Sequence, residues 1–143
     1  MALFVIVSCG NNPKQEQKPS KISDNSKNQN WARPGTQGRM SGAYFIYKNP
    51  LDVSDTLISV ESPQAMMTQI HESYTTDDGL AGMREMKEVI VQPKESLVLQ
   101  QGGLHVMLMN LKKDLAENDS VDITLNFRKS GTVKFKLPVK TNK

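Results

Sequence analysis

The feature that most constrains the fold of this chain is a two-residue alternation near its end. Over residues 120–128 apolar side chains alternate with polar ones, and the same alternation returns over residues 132–139 after a turn at Ser130-Gly131. Because successive side chains of a strand point to opposite faces, this pattern predicts two half-buried strands joined as a β-hairpin. The end of the folded region is therefore expected to be β-structure.

Short apolar segments separated by turn signals recur through the rest of the folded region. Pro50, Pro63, Pro93 and Asp78-Gly79 mark where these segments end. The further predicted strands cover residues 43–48, 56–61, 65–72, 87–92, 96–99 and 105–109. Residues 80–86 fit either one helical turn or an irregular loop, and residues 111–115 fit a short turn of helix. So many short strands and almost no helix predict an all-β domain, either an antiparallel β-sandwich or a Greek-key barrel.

The start of the chain has the character of an export signal. Residues 1–9 are an apolar run that ends in Cys9, too short for the roughly 20 residues that span a bilayer. The motif Ile6-Val7-Ser8-Cys9 resembles a bacterial lipobox, which implies lipidation of Cys9. The run has no basic residue before it, so we interpret it as a truncated lipoprotein signal. The alternative is a free cysteine after a short apolar N-terminus.

A polar segment separates this run from the folded domain. Residues 10–30 are rich in Asn, Gln, Lys and Ser and offer almost nothing to a core. Such sequence cannot offset its ordering entropy, so it is expected to be a disordered tether. The apolar fraction of 37% and the mean hydropathy of −0.49 agree with a tether that dilutes a normal domain over residues 31–140. We expect a bacterial cell-envelope or periplasmic protein, anchored to a membrane by lipid.

Composition excludes several function classes. The net charge is only +3 and the Lys and Arg residues are scattered, so nucleic acid is not an expected partner. The single cysteine excludes an internal disulfide framework and multi-cysteine zinc or iron–sulfur sites. The chain has no recognisable nucleophile–base pair or carboxylate dyad, and it lacks a domain cysteine for a blue-copper centre. We therefore expect a binding protein and not an enzyme.

The segment His-Val-Met-Leu-Met, residues 105–109, carries the most informative chemistry. As a strand it places His105, Met107 and Met109 on one face. Imidazole and thioether groups are soft ligands that select copper, above all copper(I). A core strand would more usually carry Val, Ile or Leu on both faces.

The spacing of the histidines and methionines extends this pattern. Ten residues separate Glu72, the neighbour of His71, from Met83. Twenty-one residues separate Met83 from His105, and one residue separates His105 from Met107. This spacing resembles the signature of the PCu(A)C family, which are periplasmic copper chaperones with a cupredoxin-like β-sandwich. The resemblance covers about residues 31–140 and includes the segments WARP (31–34), GAYF (42–45), DGLAGM (78–83), QGGLHVMLM (101–109) and TLNF…GTV (124–133).

Two departures from the family pattern are visible. Glu72 stands where members often carry Met beside the first histidine, and Asn110 follows Met109 where the family commonly has glycine. Neither position is one of the four core ligands. The resemblance therefore stands, with both departures outside the ligand set.

The resemblance implies one copper(I) ion held by His71, Met83, His105 and Met107. Two imidazoles and two thioethers form a neutral, soft set that suits copper(I), whereas calcium and magnesium prefer oxygen ligands and zinc binds thioethers poorly. Thioethers also work in an oxidising compartment, where thiolates would form disulfides. The other methionines fall into two groups, Met86 and Met109 as auxiliary or transient ligands, and Met40 with one of Met66 and Met67 as core filler.

The family role is to deliver copper by ligand exchange, typically toward the CuA centre of cytochrome c oxidase. The expected partner is a copper-accepting protein, either an oxidase subunit or another copper chaperone. One alternative is a copper buffering or resistance lipoprotein with the same site. The other is a non-metal binding β-sandwich, such as an adhesion or carbohydrate module, in which His71 and His105 would lie on opposite sides of the domain.

Overall fold

The computed structural model describes residues 30–141, which form ten β-strands and no helix. The strands are β1 (Trp31–Ala32), β2 (Ser41–Lys48), β3 (Asp55–Glu61), β4 (Ala65–Thr75), β5 (Ala81–Glu85), β6 (Val89–Val91), β7 (Ser96–Leu99), β8 (Leu104–Leu111), β9 (Ser120–Phe127) and β10 (Gly131–Pro138). Within this part of the chain no helix is long and apolar enough to cross a membrane. The segments 1–9 and 10–29, which carry the predicted signal, Cys9 and most of the tether, lie outside the described residues.

The strands form two antiparallel sheets. The first has the order β1-β2-β8-β4-β5, with β7 also paired to β2, and the second has the order β10-β9-β3-β6. All pairings between these strands are antiparallel. The prediction of an all-β antiparallel sandwich is confirmed, and the hairpin predicted at the end of the domain is β9–β10.

The core lies between the two sheets, and the alternation of buried and less buried residues is clearest in β9 and is absent from β2 and β5. In β9 the buried positions are every second residue, as the alternation predicts. Aromatic side chains join the sheets, with ring centroids 4.6 Å apart for Phe45 and Phe135 and 4.5 Å apart for Tyr47 and Phe127. Each such side chain stabilises the fold by roughly 1.5–3 kcal/mol through burial. The opposite face of the first sheet does not pack against the second sheet.

Two local predictions need correction. Residues 80–86 are neither a helical turn nor an irregular loop, because residues 81–85 pair with an extended β4 and form the edge strand β5. The turn between them uses Gly79 at a φ of 83°, which glycine adopts without strain. The helical turn predicted for residues 111–115 is also wrong. Leu111 ends β8, and Leu115 exchanges backbone hydrogen bonds of 2.8 and 3.1 Å with Gly35.

A buried carboxylate of β3 is hydrogen-bonded to the turn between the two hairpin strands. Asp55 is 1% exposed and accepts hydrogen bonds of 2.8 Å each from the backbone N–H groups of Thr56, Lys129 and Ser130. Burial alone would raise the pKa of the Asp55 carboxyl. The side chain of Ser130 and these backbone groups instead lower that pKa from 3.8 to about 2. The charged form therefore stabilises the turn that joins β9 and β10.

We expect the contribution of Asp55 to the free energy of unfolding to depend on pH. Because the folded-state pKa is depressed, the stabilisation is full above the unfolded pKa of 3.8 and is lost as the pH falls toward about 2. The difference of almost two pKa units corresponds to about 2 kcal/mol. Denaturant unfolding between pH 2 and 6 should show this loss in the wild type and not in Asp55→Asn.

Asp52→Asn is the matched control, because Asp52 is an exposed carboxylate that pairs with Lys94 at 3.4 Å. This control should retain the acid-dependent loss of stability. An identical pH profile for Asp55→Asn and the wild type would contradict the assigned role of Asp55.

Candidate metal centre

The pairing of β4 with β8 brings the predicted histidines together. Directly opposed residues of an antiparallel pair lie on one face, with Cβ atoms about 4.5–5.5 Å apart. Ile70, next to His71, and Val106, next to His105, are buried on the inner face. The two histidines therefore lie on the outer face of the first sheet. Three opposed pairs share that face, namely His71 with His105, Gln69 with Met107, and Met67 with Met109.

Met83 joins the same face from the neighbouring edge strand. β5 pairs with β4 so that Met83 lies opposite Ser73 and Glu85 lies opposite His71. Because Ser73 is two residues from His71, both point outward together. Met83 is 57% exposed. Met83 therefore lies at the solvent-exposed edge of the residues on this face.

A cavity of about 200 Å³ opens on this face. Three of the four predicted ligands line it, namely Met83, His105 and Met107. His71 adjoins the cavity without lining it, with its ring centroid 6.1 Å from that of His105. The structure thus brings the four residues to one place on one face, and their role as ligands stays a prediction.

The cavity depends on a glycine opposite Met107. Gly42 of β2 is the register partner of Met107 and lines the cavity. A Cβ atom at this position would lie 2.6 Å from the hydroxyl oxygen of Tyr44. Glycine therefore lets the Tyr44 side chain fold over β2 beside the cavity.

His105 is held in one orientation. It is 3% exposed, and its Nδ1 lies 3.0 Å from the carbonyl oxygen of Gly103. A carbonyl oxygen only accepts, so Nδ1 carries the proton and Nε2 has the free lone pair. The ring of Tyr44 lies 6.3 Å from that of His105 and is itself packed against Trp31 at 4.7 Å. Such an anchor on the second nitrogen is typical of metal-binding histidines.

His71 is anchored through the other nitrogen. Its Nε2 lies 2.9 Å from Oε1 of Gln69, which accepts the proton of Nε2 and leaves the lone pair on Nδ1. Nδ1 of His71 is buried and has no hydrogen-bond partner in the described part of the chain. A buried polar atom without a partner is unfavourable by about 1–3 kcal/mol. The atom is thus available to a ligand.

The surroundings disfavour the doubly protonated, charged form of His71. Burial lowers the pKa of His71 from 6.5, and the nearby His105 lowers it further, while the carboxylate of Glu85 opposes both effects. Metal binding needs the neutral imidazole. The site therefore keeps His71 in the form that binds metal at neutral pH.

The donor set is neutral and soft. Of the described residues that line the cavity, none is Asp or Glu, and Arg33 is the one charged side chain. Residues 30–141 contain no group of three or more His, Cys, Asp or Glu residues that could hold a metal. Hard cations such as Ca²⁺ and Mg²⁺ prefer oxygen ligands, whereas imidazole and thioether suit copper(I).

The other methionines depart from the sequence-based expectation. Met40, Met66 and Met67 are 65%, 66% and 53% exposed, so the prediction of core filler is wrong for Met40 and for the one member of the Met66–Met67 pair to which it applied. Met40 lines the cavity, a position that no local sequence pattern indicated. Met86 packs against the core and Met109 lies opposite Met67. Neither Met86 nor Met109 lines the cavity among its described residues.

Comparison with known proteins identifies the family. Residues 26–139 match the family model described as "Putative lipoprotein LpqE-like". The chain belongs to this lipoprotein family. It is 32% identical over 130 residues to "Putative lipoprotein Lxx21020" of Leifsonia xyli subsp. xyli (strain CTCB07), which covers 90% of this chain and 77% of that protein.

Solved structures with the same fold are PCuAC domains. The copper-bound PCuAC domain from PmoF2 superposes with a TM-score of 0.64 at 23% identity, over 80% of this chain and 90% of that one. The apo PCuAC domain from PmoF1 gives 0.63 at 25% identity, over 80% and 91%. CuI-DR1885 from Deinococcus radiodurans gives 0.58 at 27% identity, over 85% of each chain. The predicted resemblance to the PCu(A)C family is confirmed.

We expect the two histidines to occupy opposite tautomers in the metal-free protein. The hydrogen bonds predict a proton on Nε2 of His71 and on Nδ1 of His105. The pKa of His71 should lie below 6.5, and Glu85→Gln should lower it further because it removes the one carboxylate that favours the charged form. Long-range ¹H–¹⁵N spectra recorded as a function of pH report both quantities.

Glu88→Gln is the control, since Glu88 pairs with Arg128 at 3.0 Å and does not act on the pKa of His71. The same tautomer on both rings, or a pKa of His71 above 6.5, would contradict the geometry described here.

Proposed function

We propose that this domain binds one copper(I) ion through His71, Met83, His105 and Met107 and passes it to an acceptor protein. The observation that carries the proposal is the cross-strand histidine pair. Each ring has one nitrogen fixed by a protein partner and the other nitrogen free, and the two rings are 6.1 Å apart. Histidines on opposite sides of the domain would have favoured the non-metal β-sandwich alternative, and the pairing of His71 with His105 removes that support.

The free nitrogens define how the ion would be held. His71 would bind through Nδ1 and His105 through Nε2, because the other nitrogens are engaged with Gln69 and Gly103. Met107 and Met83 would add two thioethers. The four ligands come from three adjacent strands, and none has to lose a proton in its binding form.

Ligand exchange is favoured by the uneven exposure of this set. Met83 is 57% exposed on the edge strand β5, whereas His105 is 3% exposed at the centre of the sheet. A thioether or imidazole of the acceptor would therefore replace Met83 first. Copper would pass along a series of shared-ligand states, without release of the free ion. This order of exchange supports delivery over tight storage.

The setting proposed for this transfer is the bacterial cell envelope or periplasm. Membership of a lipoprotein family supports a lipid anchor at Cys9, with residues 10–30 as the tether to the domain. The similar copper-bound domains support copper as the metal. The proposed acceptor is the CuA centre of cytochrome c oxidase or another copper chaperone, and the alternative is a copper buffer with the same site.

A copper(I) titration tests the site. Under anaerobic conditions with a competing chelator we expect about one high-affinity equivalent, and Met83→Leu should weaken its Kd at least about tenfold, because even outer contacts of a metal site have effects of that size. Met66→Leu is the matched control, an equally conservative change at an exposed methionine outside the cavity. Unchanged copper affinity in the double variant His105→Ala, Met107→Ala would refute the proposal.

Gene deletion separates delivery from buffering. If the protein delivers copper, a strain without it should lose CuA oxidase activity at low copper, and the wild-type gene should restore it while the His105→Ala, Met107→Ala gene should not. Sensitivity to excess copper with normal oxidase activity would favour buffering. Oxidase activity per cell at limiting copper is the measurement.

A further inference from the structure

Three methionines lie side by side across the outer face of the first sheet. Met67 of β4 is the direct register partner of Met109 of β8. On the other side of β8, β2 begins with Ser41 opposite Leu108 and Gly42 opposite Met107. Met40 immediately precedes Ser41, and continuing this register by one residue would set it opposite Met109. We call Met40, Met109 and Met67 the methionine row.

The backbone beyond Met40 keeps it next to β8. The N–H of Leu111 donates to the carbonyl of Arg39 at 3.0 Å, so the two backbone segments stay hydrogen-bonded beyond Met40. Asn110, which follows Met109, has a φ of 52°, in the left-handed region. Adjacent strands are about 4.8 Å apart, a distance that long thioether side chains easily span.

Packing does not explain the row. Met40 is 65% exposed and Met67 is 53% exposed, so neither fills the core. The face opposite them carries the buried residues of the sandwich, such as Leu108 and Ala43. Met109 is only partly buried, so core packing does not account for the three thioethers together.

The row is separate from the histidine site. Met109 is two residues beyond Met107 on β8, and Met67 is four residues before His71 on β4. Gln69, engaged with His71 at 2.9 Å, stands between Met67 and the histidine pair. Met40 alone reaches both regions, because it also lines the cavity with Met107.

We propose that Met40, Met67 and Met109 form a second binding site, for a soft monovalent cation of the copper(I) class. Three thioethers make a neutral ligand set without nitrogen or oxygen, which selects soft cations and rejects Ca²⁺, Mg²⁺ and Zn²⁺. The proposal goes beyond the proposed function and does not depend on it, since the row shares no ligand with the histidine site.

Silver(I), a soft monovalent cation, tests the row by nuclear magnetic resonance. The full chain labelled with ¹³C-methyl methionine is titrated with silver(I), and the methyl signals are assigned by single Met→Leu variants. We expect two equivalents in the wild type, one of which shifts the methyl signals of Met40, Met67 and Met109. In Met67→Leu, Met109→Leu that equivalent should be lost, while the other equivalent should still bind, because neither substituted residue is one of its proposed ligands.

Two further variants complete the design. Met66→Leu should keep both equivalents, because Met66 is exposed next to Met67 but lies outside the row. His71→Ala, His105→Ala should lose the equivalent at the histidines and keep the one at the row, so that failure of either site is detected separately. Thermal unfolding of each variant checks that it folds.

Two results would overturn the proposal. The first is a wild-type titration in which no equivalent shifts the methyl signals of the row. The second is a Met67→Leu, Met109→Leu variant, folded as the wild type, that still binds both equivalents.

Discussion

The register between β4 and β8 is the constraint on which the site depends. Ile70 and Val106 are partners on the inner face, and His71 and His105 are partners on the outer one. A slip of one residue would turn the histidines into the core and the apolar residues into solvent. The burial of Ile70 and Val106 therefore fixes the position of the histidines. The same strand pairing therefore positions the core residues on one face of the sheet and the candidate metal ligands on the other.

The two histidines are oriented by different means, and this difference matters for their chemistry. A main-chain carbonyl holds His105, whereas the amide side chain of Gln69 holds His71. The first anchor is part of the backbone next to β8 and moves only with it. The second is a side chain with its own rotamers. His105 is thus the rigid member of the pair, and His71 is the one able to adjust.

The sequence predicted much of the fold, for identifiable reasons. The β9–β10 hairpin was predictable because its alternation is local, and the grouping of His71, Met83, His105 and Met107 on one face followed from the resemblance of their spacing to the PCu(A)C signature. β5 was missed because residues 81–85 lack an apolar alternation and are strands only through pairing with β4. Met40 was misjudged because its exposure depends on which sheet face is covered. That is a tertiary property, which no local pattern contains.

The neutrality of the lining residues has an electrostatic consequence. Imidazole and thioether ligands cannot cancel the charge of a cation, and the one charged lining side chain among the described residues is Arg33. Loading with a monovalent ion would therefore make this face more positive by one full unit. An acceptor with an acidic docking surface would then meet the loaded protein faster than the empty one. If the ion is passed on as proposed, this attraction would fall after transfer, and the empty protein would separate from such an acceptor more readily.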